Sequence, residues 1–213
     1  MFGWRGTKQT DWQPRIRHFD QLGPEAEDVM VHMIETNALP SGHKGVWAAP
    51  FLADLVFLLA DAEGFVTCER LDALGQSGPH ALQDALGRFA EAGHRTKMGP
   101  AAGHPAMFMV EVADDPSLTP MLLAMPQLFN EVLRATGGGA IFITHPVEDR
   151  IFAAPCALEG AEQLMLETLE QEADGALRQS DYVFRLEARG RLTPYLFVPA
   201  GGAPQRVDEE FDA

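Results

Sequence analysis

Positive charge is scarce in this chain: 16 Lys and Arg stand against 31 Asp and Glu, a formal net charge of −15 over 213 residues. Lys and Arg contacts to phosphate supply most non-specific affinity for nucleic acids and draw proteins to anionic lipid. DNA, RNA and anionic membranes are therefore excluded as expected partners, and a basic protein or peptide surface is the expected one. No apolar run approaches the roughly 18 residues that a spanning helix needs. The opening MFGWRGTKQTDWQPR has no apolar stretch of the kind a secretory signal carries. Cysteine is nearly absent too. Cys68 and Cys156 are isolated and form no metal-type pair, which fits reduced thiols in a cytoplasmic protein.

Familiar catalytic and ligand-binding patterns are missing as well. No G-x-S-x-G occurs, and Gly75-Gln76-Ser77-Gly78 reads as a turn before a helix. The histidines (residues 18, 32, 43, 80, 94, 104 and 145) contain no H-x-x-x-H pair. Asp114-Asp115 before Pro116 reads as turn and cap, and no calcium-loop pattern follows it. Gly137-Gly138-Gly139 follow a helical pattern and precede a strand pattern, the reverse of a phosphate cradle. No cofactor and no metal site is expected from these patterns. Cys156 lies just before a helix start, yet the hairpin before it separates it from His145, and it reads as an ordinary half-buried cysteine.

What is present is a hydrophobic content of 46%, enough for a sizeable core. Residues 1–22 differ from the rest in holding Phe2, Trp4, Trp12 and Phe19 among Arg5, Lys8, Arg15 and Arg17. They read as an aromatic, basic arm docked on an acidic body, with partner binding as the alternative. Residues 23–200 read as one α+β domain, and residues 201–213, ending DEEFDA, as a disordered acidic tail.

Within the domain a helix is expected after Gly23-Pro24, with apolar Met30, Met33 and Ile34 and acidic Glu25, Glu27 and Asp28. Phe51–Ala60 predicts one buried strand, followed by a turn over 61–64 and a partner strand at Phe65-Val66. Thr67 and Ser77 are positioned to cap two helices, closed by Gly75 and Gly93. Residues 94–105 read as a polar, glycine-rich connection before a strand at 106–113. Thr119-Pro120 predicts a helix start, with Leu122, Met125, Phe129, Val132 and Leu133 on its apolar face. Pro126 must kink that helix or restart it, because an internal proline costs about 3 kcal/mol. Ile141 to Thr144 and Ile151-Phe152 predict a hairpin turning over His145–Asp149, and 158–177 a long helix with an acidic outer stripe. Residues 182–187 and 192–198 predict a last hairpin. Strands that come in hairpin pairs, with helices between the pairs, predict an α+β fold with a largely antiparallel sheet and helices packed on it.

LADLVFLLAD, a turn, and FVTCERLDALGQSGPHALQDALGRF, followed later by the leucine-rich helix leading through glycines to AIFITHPVEDRIFAA, resemble in order and spacing the YtpQ-like family of bacterial proteins. Asp61 matches that family's strand-ending Asp, and Ala85-Leu86 fall near its A..NL helix position. Val147-Glu148-Asp149-Arg150 stand where the family has N-R-D, with acid and base inverted. The resemblance spans roughly residues 51–155 and rests mostly on hydrophobic pattern. It implies a bacterial cytoplasmic protein and no particular activity.

His145, Asp149 and Arg150, read as the tip of the central hairpin, are the candidate binding residues, because loop tips on rigid scaffolds are where binding groups tend to sit. No catalytic residue is assigned. The expected function is a non-catalytic binding or accessory module with an acidic surface. The alternatives are a hydrolase-type enzyme whose site assembles from dispersed residues, and a homo-oligomeric building block.

Overall fold

The computed structural model describes residues 11–101, 104–172, 178–199 and 202–207. Two antiparallel sheets organise them. The smaller pairs β1 (Gln13–His18), β3 (Leu55–Asp61) and β2 (Ala48–Leu52) in that order, with β4 (Gly64–Phe65) also on β3. The larger holds β5 (Thr96–Ala101), β6 (His104–Val112), β7 (Ile141–Val147), β8 (Arg150–Pro155), β9 (Tyr182–Leu186), β10 (Leu192–Phe197) and β11 (Gln205–Arg206), in the order β11–β10–β9–β7–β8–β6–β5. The fold is α+β.

Period-two alternation explains how the large sheet is covered on both sides. Ile141 and Ile143 of β7, Ile151 and Ala153 of β8, and Phe184 and Leu186 of β9 point to one face. Phe142, Phe152, Ala154 and Val183 point to the other. There α5 (Ala161–Glu172) lays down Ala161 and Met165. The first face is filled by an irregular segment, with 3-10 turns over Pro116–Ala124 and Pro126–Phe129 and then α4 (Asn130–Ala135). Its Leu118, Met121, Leu122, Phe129 and Val132 share one core with Ile16 and Leu55 of the small sheet, so that core joins the two sheets.

The small sheet is covered on both sides as well. Val29, Met30 and Met33 of α1 (Ala26–Thr36) pack on Val56 and Leu58. Leu71 of α2 (Cys68–Leu74) and Leu82 and Ala85 of α3 (Gly78–Glu91) pack with Trp12, Trp47 and Leu59. The α3 start requires glycine, because a Cβ on Gly78 would lie 1.9 Å from Trp47 Nε1. Thr67 and Ser77 accept from the backbone N–H groups of Arg70 and His80, the caps expected of them.

Several expectations need correction. Phe51–Ala60 is not one strand: β2 ends at Leu52, Ala53 takes φ 53°, and β3 restarts at Leu55. Asp54 is thus a turn residue inside an apolar run. The connection expected over 94–105 contains β5, which pairs with β6 from Thr96↔Val112 onward. The helix expected from Thr119 begins instead with a 3-10 turn capped by Asp115, whose carboxylate accepts from Ser117 N. Pro126 restarts the chain rather than kinking it. Of the expected arm over residues 1–22, residues 13–18 are β1, hydrogen-bonded to β3 with Gln13↔Ala60 and His18↔Leu55 in register. Within the tail expected to be disordered over 201–213, Gln205 and Arg206 form β11, paired with Phe197 and Leu196 of β10. Residues 1–10 of that arm, residue 200 of the expected domain, residues 201 and 208–213 of the expected tail, and residues 173–177 of the expected long helix lie outside the described residues. No helix among the described residues is long and apolar enough to cross a membrane.

Candidate functional site

His145 is not at the tip of the central hairpin. It is fully buried within β7. The expectation of a wide turn rested on Pro146. That proline sits where the β7–β8 register shifts between Thr144 and Val147, so its missing N–H costs no ladder bond and the strand runs on. The turn narrows to Glu148-Asp149. His145 Nδ1–H donates to the Arg150 carbonyl at 3.0 Å, and Nε2 is buried with no hydrogen-bond partner among the described residues. Burial, reinforced by the nearby Arg17 charge, drives its pKa down to about 4. It is therefore a neutral, enclosed imidazole with no opening to a substrate.

The tip itself is neutralised internally. Arg150 pairs with Asp149 at 3.3 Å and with Glu172 of α5 at 3.2 Å. Glu148 pairs with Arg17 of β1, a nearly buried guanidinium that also donates to the Ile16 carbonyl at 2.8 Å. Asp149 and Arg150 are partly exposed, but their charges are already matched.

A second polar cluster lies at the seam between the sheets. The Asp54 side chain is buried. It accepts from Ser180 Oγ at 2.8 Å and from the Asp181 backbone N–H at 2.6 Å. These two bonds tie the β2–β3 turn of the small sheet to the chain entering β9 of the large one. His18, at the end of β1, places Nε2 3.5 Å from Asp54 Oδ2 and Nδ1 3.2 Å from Asp20 Oδ2. Burial pushes the Asp54 carboxyl up to about 6, against the opposing pull of the Asp181 N–H, His18 and Ser180. His18, Asp54 and Asp181 each offer one ligand atom, all within 4.8 Å of one another.

A surface groove of about 630 Å³ opens between the start of α5 and the large sheet, lined by Phe142, Cys156, Glu162, Arg185 and Tyr195 among others. Its acid is already engaged: Glu162 accepts from Tyr195 Oη at 2.5 Å and from Arg206 at 2.6 Å. Arg185 pairs with Glu187 at 2.9 Å. Burial pushes the Cys156 thiol up to about 11, so it is protonated at neutral pH and a poor nucleophile. Cys156 N donates to the Ala140 carbonyl, at the opposite end of the hairpin from the turn.

The outer face of α1 is different again. Val31 and Ile34, three residues apart, are 52% and 67% exposed. Glu27, Val31 and Glu35 form one i, i+4 row, with Asp28 beside it, and all three acids are exposed. Among the described residues none of Glu25, Glu27, Asp28 and Glu35 has an ion-pair partner.

Sequence reading missed His18, Asp54, Ser180 and Asp181, which are separated by up to 163 positions along the chain. One signal was available: Asp54 is the only charge inside FLADLVFLLA. Ile34, expected on the apolar face of its helix with Met30 and Met33, points outward.

Together these features define an antiparallel α+β protein with two sheets, a polar seam between them and an acidic, partly apolar helix face outside. Comparison with protein-family models, with curated proteins and with solved structures gave no match in any of the three.

Proposed function

We propose that this chain is a non-catalytic binding module of the bacterial cytoplasm that docks a basic, amphipathic protein segment. The observation that supports this reading is the outer face of α1. Helix faces in soluble proteins usually turn polar side chains outward, and α1 turns Val31 and Ile34 outward between carboxylates that have no ion-pair partner among the described residues. Apolar contact would supply affinity there. The carboxylates Glu27, Asp28 and Glu35 would supply orientation and a fast, salt-sensitive approach. The hairpin tip is a weaker surface for the same task, because Glu148, Asp149 and Arg150 are paired within the chain. The bacterial and cytoplasmic parts of the reading rest on the YtpQ-like resemblance and on the two unpaired thiols.

The test is a calorimetric titration with a helical peptide carrying leucine on one face and lysine on the other. Affinity is expected to fall at least tenfold between 50 and 500 mM salt, because exposed charge pairs are screened. Replacing Ile34 by serine is expected to weaken it further. Binding that ignores both salt and Ile34→Ser would overturn the reading.

A further inference from the structure

We propose that His18, Asp54 and Asp181 form a binding site for one divalent transition-metal ion of the zinc and manganese class. Three separate elements deliver the ligands: the end of β1, the β2–β3 turn and the chain entering β9. One imidazole nitrogen and two carboxylate oxygens within 4.8 Å of one another can share one ion with water completing its shell. The nitrogen ligand favours a transition metal over calcium or magnesium, which prefer all-oxygen sets.

The shell behind the ligands is already in place. The Asp20 N–H donates to His18 Nδ1 at 3.3 Å, which fixes the ring and aims Nε2 at Asp54 Oδ2, 3.5 Å away, where an ion would take the place of the Nε2 proton. Asp20 Oδ2, 3.2 Å from Nδ1, could accept a proton placed on that nitrogen once an ion holds Nε2, the carboxylate partner that metal-binding histidines commonly have. Ser180 Oγ and the Asp181 N–H hold the Asp54 carboxylate in position and leave lone pairs for an ion. Asp54 and His18 are buried, while Asp181 is a quarter exposed and provides the entry side.

Charge also favours a cation. Asp20, Asp54 and Asp181 converge here, and Arg178, 3.2 Å from Asp181, is the cation paired with them among the described residues. An ion held here would clip the small sheet to the large one. It would do so whether or not α1 docks a partner, so the site is independent of the proposed function.

The experiment uses the full chain, stripped with chelator and titrated with zinc chloride alone and then with manganese chloride alone, followed by calorimetry and thermal melting. One ion per chain is expected. The melting temperature should rise by about 5 °C at a free ion concentration near 100 times Kd. Asp181→Asn keeps the backbone N–H that serves Asp54, so it should fold normally. It is expected to weaken binding at least tenfold, as is His18→Gln. His80→Ala, which removes an exposed His80–Asp84 pair, is expected to leave affinity unchanged. Absence of uptake of both ions would overturn the proposal. So would uptake that Asp181→Asn leaves intact, or uptake that disappears with His80→Ala.

Discussion

The hairpin turn at Glu148-Asp149 and the outer face of α1 are both charged surfaces, and they differ in where the charge goes. At the turn every charge has an internal partner: Glu148 meets Arg17, and Arg150 meets Asp149 and Glu172. On α1 the carboxylates Glu27, Asp28 and Glu35 have no ion-pair partner among the described residues, and two large apolar side chains stand among them. Paired charges hold the fold together at the junction of β1, β8 and α5. Unpaired charges beside exposed apolar surface are available to another molecule. Substitutions at the turn should therefore change stability and leave binding alone, and substitutions on α1 should do the reverse.

The largest effect expected is at Glu148. Glu148→Ala leaves the Arg17 guanidinium, whose side chain is 7% exposed, without its carboxylate. A buried charge stripped of its partner costs about 1–3 kcal/mol, which chemical denaturation would read, with peptide affinity unchanged. Next is charge reversal on α1. The triple variant Glu27→Lys, Ile34→Ser, Glu35→Lys should lower affinity for the basic peptide by at least tenfold, about 1.4 kcal/mol. Because these side chains are exposed, the melting temperature should move by no more than about 2 °C.

The pH dependence separates the interior of the hairpin from its rim. The folded state holds His145 near a pKa of about 4, against 6.5 for the free group. Between these values the unfolded chain binds the extra proton, so the contribution of His145 to stability is present above pH 6.5 and is lost as pH falls through 4. His145→Leu removes that loss. The variant should gain on the wild type when urea midpoints measured at pH 7 and pH 5 are compared. Asp54 has the opposite sign. Its pKa is raised from 3.8 to about 6, so its contribution is present at low pH and fades as pH rises toward and past 6. The smallest effect is at the rim itself. Arg150→Gln breaks pairs whose members are more than a third exposed, and stability should change by about 0.5 kcal/mol or less.

Local chemistry made much of the fold legible in advance. Thr67, Ser77 and Gly75 marked helix ends because caps and left-handed glycines act within a few residues. The β7–β8 and β9–β10 hairpins showed as paired apolar runs with turn residues between them. What stayed hidden depends on distant partners. β1 alternates Ile16 with Arg15 and Arg17, and only pairing with β3 makes QPRIRH a strand. β5 contains Gly99 and Pro100, poor strand residues that are tolerated because β5 is an edge strand of the large sheet. His145 was assigned to a turn because Pro146 is a turn residue by habit, while the local register shift lets proline stay in the strand. The seam was invisible for the same reason: Ser180 and Asp181 meet Asp54 only after both sheets have formed.

The most direct measurement is an amide chemical-shift map of the labelled protein titrated with the leucine–lysine peptide. Perturbations concentrated on residues 27–35, falling together as salt rises, are the result predicted. Perturbations concentrated on residues 147–150, with α1 unmoved, would contradict the assignment of the docking surface to α1.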